Sequence, residues 1–501
     1  MILVNARRYR VALASAVLVC LILGLTSYHG NVLSGTDAWP KWAVSHQENK
    51  QQSTAQSSLK THTKSTPKPT KTKSPSPPPV ITPGLPKDYQ LQEPNSDWCE
   101  NRYGTLYLEN YRGAEVSYCT PESSSDLHCF WSDTTGDRID SMCYARGAVF
   151  DVKQKKWKMD CNVRQLTSEE LSRGARPVPE WLSLYWYETG PGSIMESFIT
   201  LKGGDDKAKP NTTTILLKRE GANNPWHCMM EIMSLTYTMD ILQISVDSHT
   251  KEPFITAKDG KNTQVVILDN EEDGPYFNLW KLFAKMPVRR LKDLKEDEPP
   301  TNLILPLAGG SNTLWQGDWN PHDCRDASLI RTFSRRVVDH YGVTKKKHDG
   351  NVVVTFIKRT NTRSLRNETE LLDAARKAMP KITLNEVDFA TMSFKDQLEI
   401  VQKTDLLAGV HGAGLTHSMF LPRGAATLEI LPHEFFHKGF RNLAQMTGNG
   451  YFSTHAKLPK GVKPGDWQMD AVAIDEGKFI DAMRVAVKSL LNTGLRSSDA
   501  I

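Results

Sequence analysis

The chain has 501 residues, with 62 Lys and Arg against 57 Asp and Glu, a formal net charge of +5. Two domains of ordinary size fit that length, and the mixed charge excludes the one-signed basic surface of a nucleic-acid binder. At 39% hydrophobic and 24% charged, the composition is that of a globular protein.

The first element is VALASAVLVCLILGLTSY, residues 11 to 28, an uncharged run preceded by Arg7, Arg8 and Arg10. As a helix it would span roughly 27 Å, enough for a bilayer core of about 30 Å. The arginines favour the cytoplasmic side. The expectation is therefore a cytoplasmic tail over 1–10 and a type II transmembrane signal anchor over 11–28, with a cleaved signal peptide as the competing reading. Residues 29–96, rich in Ser, Thr, Pro and Lys, cannot build a core and read as a disordered stem. The folded head is expected from Asp97.

Cys99, Cys119, Cys129, Cys143 and Cys161 cluster early in the head and suit disulfides in an oxidising compartment. With Cys228 and Cys324 the lumenal count is odd, and one of those two is expected to stay a thiol. Sequons stand at Asn211 and Asn367. Strands are expected over 213–220, 264–269, 351–359, 406–410 and 426–431. Helices are expected over 225–242, 327–342, 368–379, 394–404 and 476–494, with Ser393 as the cap of the fourth. This alternation predicts parallel sheets with crossover helices.

In open parallel sheets, ligands lie outside the carboxyl ends of the strands. After the strand at 351–359 come Arg359 and Arg363, which suit a diphosphate. After LLAGV comes His411-Gly412-Ala413-Gly414-Leu415-Thr416. Its glycines permit close backbone approach, and the following helix offers free N–H groups to an anion. Glu429, on the next strand, is a candidate for ribose hydroxyls. In the first half, Asn224 can cap a helix with Pro225 at its first position. His227 then lies in the first turn, where the dipole favours neutral imidazole, and Glu231 lies four residues on to orient it. A neutral, oriented His suits a general base. Each motif also has a plainer reading: a strand-to-helix turn, a solvated basic loop, a structural His–Glu pair.

FKDQLEIVQKTDLLAGVHGAGLTHSMFLPRGAATLEILP, within residues 391–432, resembles the signature of glycosyltransferase family 61. Asn224-x-x-His227-x-x-x-Glu231 is similar to that family's N-x-x-H-x-x-x-D/E pattern, and Arg359 and Arg363 to its phosphate-side segment. The resemblance implies a GT-B fold: two Rossmann-like domains facing across a cleft, here an acceptor-side domain over 97–300 and a nucleotide-sugar domain over 301–475, then a C-terminal helix and tail over 476–501. It implies an inverting transfer from a UDP-sugar to a glycan or protein hydroxyl, with GlcNAc or xylose the expected sugar. His227 and Glu231 are then the catalytic candidates. Arg359, Arg363, His411, Gly412, Ala413, Gly414, Leu415, Thr416, His417 and Glu429 are the donor-binding ones. Gln397 matches a family position without an assigned role. No cofactor or metal is required on this reading. The Ser-Ser-Asp-Ala-Ile terminus carries no retrieval signal, so a single-pass Golgi membrane location is expected, with the ER membrane as the alternative. The rivals are a metal-dependent GT-A transferase using Asp269 and Glu271, and a non-catalytic lumenal sugar-binding protein on a transferase-like fold.

Overall fold

The computed structural model describes residues 83–89, 95–132, 139–177, 187–204, 210–248, 250–344, 351–463, 465, 468, 470–491 and 497–499. The expected tail, anchor and most of the stem lie outside the described residues. No helix among the described residues is long and apolar enough to cross a membrane.

The first sheet is built from β1 (Glu115–Ser117), β2 (Asp126–Ser132), β3 (Asp140–Asp151), β4 (Lys156–Lys158), β5 (Ile199–Thr200), β6 (Thr212–Leu217), β7 (Thr263–Ile267), β8 (Arg289–Arg290) and β9 (Thr301–Leu305). Its main order is β1-β2-β3-β9-β6-β7-β8. Strands β9, β6, β7 and β8 run parallel, as the alternating pattern predicts. The antiparallel run β1-β2-β3 joins them at β9 and makes the sheet mixed. Strand β9 lies in this sheet, so the first unit extends past the division expected at residue 300.

The second sheet is fully parallel: β10 (Val352–Ile357), β11 (Ile382–Val387), β12 (Leu406–Val410), β13 (Ala426–Leu431), β14 (Gly450–His455) and β15 (Ser497–Asp499), in the order β11-β10-β12-β13-β14-β15. The chain leaves β10 toward β11 on one side and returns to β12 on the other. A crevice opens at such a switch point, between the carboxyl ends of β10 and β12. The first sheet repeats the device. From β6 the chain crosses to β7, and it later returns to β9 on β6's other flank.

The crossover from β6 to β7 is the helix Pro225–Ile244, capped by the Asn224 side chain, which accepts from the amides of Trp226 and His227. Of its 20 residues, 17 are buried, so it lies in the core rather than on a face. One hydrophobic cluster includes this helix (Met229, Ile232, Leu242), the first sheet (Ile215, Ile304) and the second (Ile357, Leu407). The two sheets therefore share a core. Disulfides join Cys99 to Cys324, Cys119 to Cys161 and Cys129 to Cys143, leaving Cys228 as a buried thiol. Cys324 is thus not the free cysteine. It pairs across 225 residues with the first cysteine of the head.

At the far end of the central helix, Asp240 is fully buried. Arg336 and the Tyr89 hydroxyl both donate to it, at 2.7 and 2.6 Å, and Arg336 also binds Asp88. Removing one partner of a buried pair strands the other charge. Arg336→Ala is expected to cost about 3–5 kcal/mol of stability, read as a lowered denaturation midpoint.

Candidate functional site

The loop after β10 brings Arg359 and Arg363 back over the turn after β12. A Cβ on Gly412 would collide with the Arg359 guanidinium and lie 3.1 Å from Nη2 of Arg363. Gly412 has φ +152°, a conformation that side chains of L residues avoid. The glycine of the HGAG turn is therefore the floor on which two guanidinium groups converge. Arg359 donates to the carbonyl and hydroxyl of Thr362 and, among the described residues, has no carboxylate partner. Burial lowers its pKa. Two converging cations at a switch point are suited to hold an anion. Ala413 and Gly414, half-buried beside Gly412, begin the 3-10 helix Ala413–Phe420.

The rest of the predicted donor set is placed differently. Glu429 is fully buried. One oxygen meets Nδ1 of His411 at 2.5 Å and the other accepts from the Tyr451 hydroxyl at 2.6 Å. It orients His411 and does not reach out for a ribose. Leu415, Thr416 and His417 turn into the core. His417 has Nδ1 2.8 Å from the Gly414 carbonyl and Nε2 2.6 Å from the Gln397 Oε1, of which the neutral ring donates to one, with Phe389 against its ring. Burial pushes its pKa down to about 4. Gln397 thus has a role: its amide group donates to the carbonyls of Phe389 and Met392 while its oxygen fixes His417. Only the first half of HGAGLTH meets the ligand side, because the helix turns its own second half inward.

At the first sheet's switch point stands His227, in the first turn as predicted, with its side chain 24% exposed. Burial lowers its pKa to about 4, so the ring is neutral at neutral pH. Trp315 and Tyr187 flank it at 4.5 and 5.7 Å between ring centroids. Glu231 does not orient this ring. It is buried, and its Oε1 accepts instead from the amide of Glu220 at 2.9 Å. The carboxylate beside the imidazole belongs to Glu220, 4.0 Å from Nδ1 and 1% exposed. Sequence reasoning missed Glu220 because it follows β6 and reaches His227 through the fold, not through helical spacing. Burial raises its pKa to about 8, and raises that of Glu231 well above the usual carboxylate range. A small cavity at this edge is lined by Lys218, Arg219, Glu231 and Pro306 to Gly309.

Asp269 is already committed. Arg219 binds it through its amide and guanidinium, and the Glu271 amide donates to its second oxygen. It anchors Arg219 and is not poised as an open metal ligand. Among the described residues no group of three His, Cys, Asp or Glu is placed to hold a metal ion. Ring contacts connect the two switch points: Trp226, next to His227, meets Phe440 at 5.4 Å, and Phe440 meets His411 at 5.4 Å.

Residues 226–428 match the family model described as Glycosyltransferase 61. The chain is similar to the EGF domain-specific O-linked N-acetylglucosamine transferases of Drosophila melanogaster (29% identity, 48% of this chain and 45% of the relative), Mus musculus (25%, 74% and 69%) and Gallus gallus (33%, 48% and 44%). For two of these three, the match spans less than half of the relative's own length.

A methyl group at residue 412 must displace Arg359. Gly412→Ala is expected to weaken nucleoside diphosphate binding by about tenfold or more, roughly 1.4 kcal/mol. Isothermal titration with UDP tests this, and unchanged affinity would remove the Arg359–Gly412 contact from the anion site.

Proposed function

We propose that this chain, whose residues 226–428 match the family model described as Glycosyltransferase 61, is an inverting transferase that moves a sugar from a UDP-sugar onto a hydroxyl of a glycan or protein. The observation that carries this reading is the pairing of unlike crevices. One holds a neutral, partly accessible histidine. The other holds two converging arginines over a glycine floor, and aromatic rings run between them. Inverting transfer needs those two capacities: a base for the acceptor and cations for the leaving diphosphate.

On this reading the acceptor hydroxyl gives its proton to His227 while its oxygen forms the new bond to the anomeric carbon. The bond from that carbon to the diphosphate breaks, and UDP leaves with the electron pair. Arg359 and Arg363 neutralise the charge that develops. Ala413 and Gly414 offer the backbone beside them. No step calls for a divalent ion. The fold assigned is GT-B, with the first sheet as the acceptor side. GlcNAc and xylose are the proposed sugars. The relatives' printed names favour GlcNAc and a protein acceptor. Three disulfides suit the lumen of the secretory pathway, and a membrane-anchored Golgi location is proposed with it.

Transfer is tested by UDP release from UDP-GlcNAc, UDP-xylose, UDP-glucose and UDP-galactose, with and without manganese, over peptide and glycan acceptors. Release with one donor and no metal is expected. Strict manganese dependence would overturn the metal-free mechanism, and absence of both release and UDP binding would overturn the transferase itself. His227→Ala should reduce transfer by roughly 100-fold or more with UDP affinity nearly intact. Arg359→Ala should instead weaken UDP binding, read by the UDP-induced rise in melting temperature.

A further inference from the structure

Two buried carboxyl groups beside His227 are left without the partners that buried polar groups normally have. Oε1 of Glu220 has no hydrogen-bond partner, Oε2 faces His227, and the side chain is 1% exposed. Glu231 uses one oxygen on the Glu220 amide and has none for the other. Gly309 leaves them no room to move away. A Cβ there would lie 2.6 Å from Cγ of Glu231 and 2.9 Å from Oε1 of Glu220. The nearest basic group to Glu220 is His227, whose Nδ1 is 4.0 Å away. Arg219, one residue before, is spent on Asp269 and on the Glu271 and Glu272 carbonyls.

We propose that Glu220 is the positioning residue of His227, holding the Nδ1 side of the ring so that Nε2 meets the acceptor hydroxyl, with Glu231 fixing Glu220 through its backbone amide. The inference rests on His227 as the base.

Its chemistry balances. Nδ1 keeps its proton toward Glu220, and Nε2 takes the proton of the acceptor. The imidazolium that results lies beside a carboxylate in a poorly solvated pocket, where the attraction is stronger than in water. Among the described residues no hydrogen bond fixes the ring's tautomer, and the Glu220 carboxyl, 4.0 Å from Nδ1, is the group placed to do so. The arrangement makes the protonation of Glu220 matter. Its burial holds the proton up to about 8, and only the carboxylate form can stabilise the imidazolium. The other titratable groups around it are Glu231 and Cys228 on the same helix as His227, Tyr187 against the ring, and the Arg219–Asp269 pair behind it. Burial keeps Cys228, like Glu231, protonated at neutral pH, with its pKa at about 12, and Tyr187 is raised. The limb near 8 is therefore assigned to Glu220.

The test is the pH dependence of kcat/KM for the full chain, compared with Glu220→Gln and Glu220→Asp. The wild type should gain activity as pH rises through about 8. Glu220→Gln should lose roughly 10- to 100-fold in kcat and lose that limb, with the UDP-induced melting shift unchanged. Its melting temperature should not fall, because a buried carboxyl group with an unpartnered oxygen has been removed. Glu220→Asp should recover part of the rate and keep the limb. A normal rate with the limb still present in Glu220→Gln overturns the assignment. If that variant does not fold, Gly309→Ala crowds both carboxyl groups and should displace the limb, and an unmoved limb overturns the assignment equally. The two readings fail separately. Full transfer by His227→Ala sinks the base, whereas an inactive His227→Ala beside a normal Glu220→Gln sinks only the role of Glu220.

Discussion

The helix Pro225–Ile244 has almost no solvent face, and the rest of the molecule is arranged to tolerate that. A helix buried on all sides must satisfy every polar group along it from inside the protein. At its start Asn224 accepts the first amides and Pro225 removes one that needs a partner. In its middle the Ser234 and Thr238 hydroxyls turn to the segment after β9, where Thr238 receives the amide of Leu307 and Ser234 the Asn312 side chain. At its end Asp240 takes Arg336 and Tyr89. Each contact fixes a different neighbour, so the helix sets where β9's loop, the helix Ser328–His340 and the segment at 88–89 can sit.

This placement generates the site. The helix starts at the switch point of the first sheet, so its first turn projects His227 where a ligand can enter. The loop it holds after β9 carries Gly309, which presses on Glu220 and Glu231. The second sheet reaches a matching crevice by backbone means: Gly412 leaves the space that Arg359 and Arg363 fill. One crevice is built by burying acids beside a histidine, and the other by removing a side chain beneath two arginines. Trp226 and Phe440 keep the two in register through the shared core.

Those parts were legible in the sequence to different degrees. The second sheet reads well because its strands are apolar runs closed by turn signals, and the cap at Ser393 forms as the spacing predicts. The convergence of Arg359 and Arg363 on the HGAG turn also follows from the crevice rule. The antiparallel strands β1 to β3 carry cysteines, aromatics and polar residues without clean alternation, and their pairing is settled by tertiary contact. Strand β9 is short, and only its pairing with β3 on one side and β6 on the other assigns it to the first sheet. Glu429 sits on a strand buried on both faces, where a carboxylate needs internal partners, and sequence could not show that His411 and Tyr451 supply them. The spacing of His227 and Glu231 correctly places both on one helix. It fails on the contact, because a side chain follows the nearest unsatisfied donor, here the Glu220 amide.

The misplacement of Glu231 is instructive about cost. A fold selected only for stability would not leave acid oxygens without donors beside a neutral imidazole, since each such group forfeits its hydration. Here two such acids stand side by side in one crevice, while other buried acids have both oxygens engaged: Asp269 by Arg219 and the Glu271 amide, Glu429 by His411 and Tyr451. The same chain thus shows that it can satisfy a buried carboxylate and, at Glu220, does not. Destabilised polar groups of this kind persist where charge must appear during a reaction. On the proposed mechanism, an imidazolium formed at His227 is the charge this pocket would receive, while the acceptor is being deprotonated.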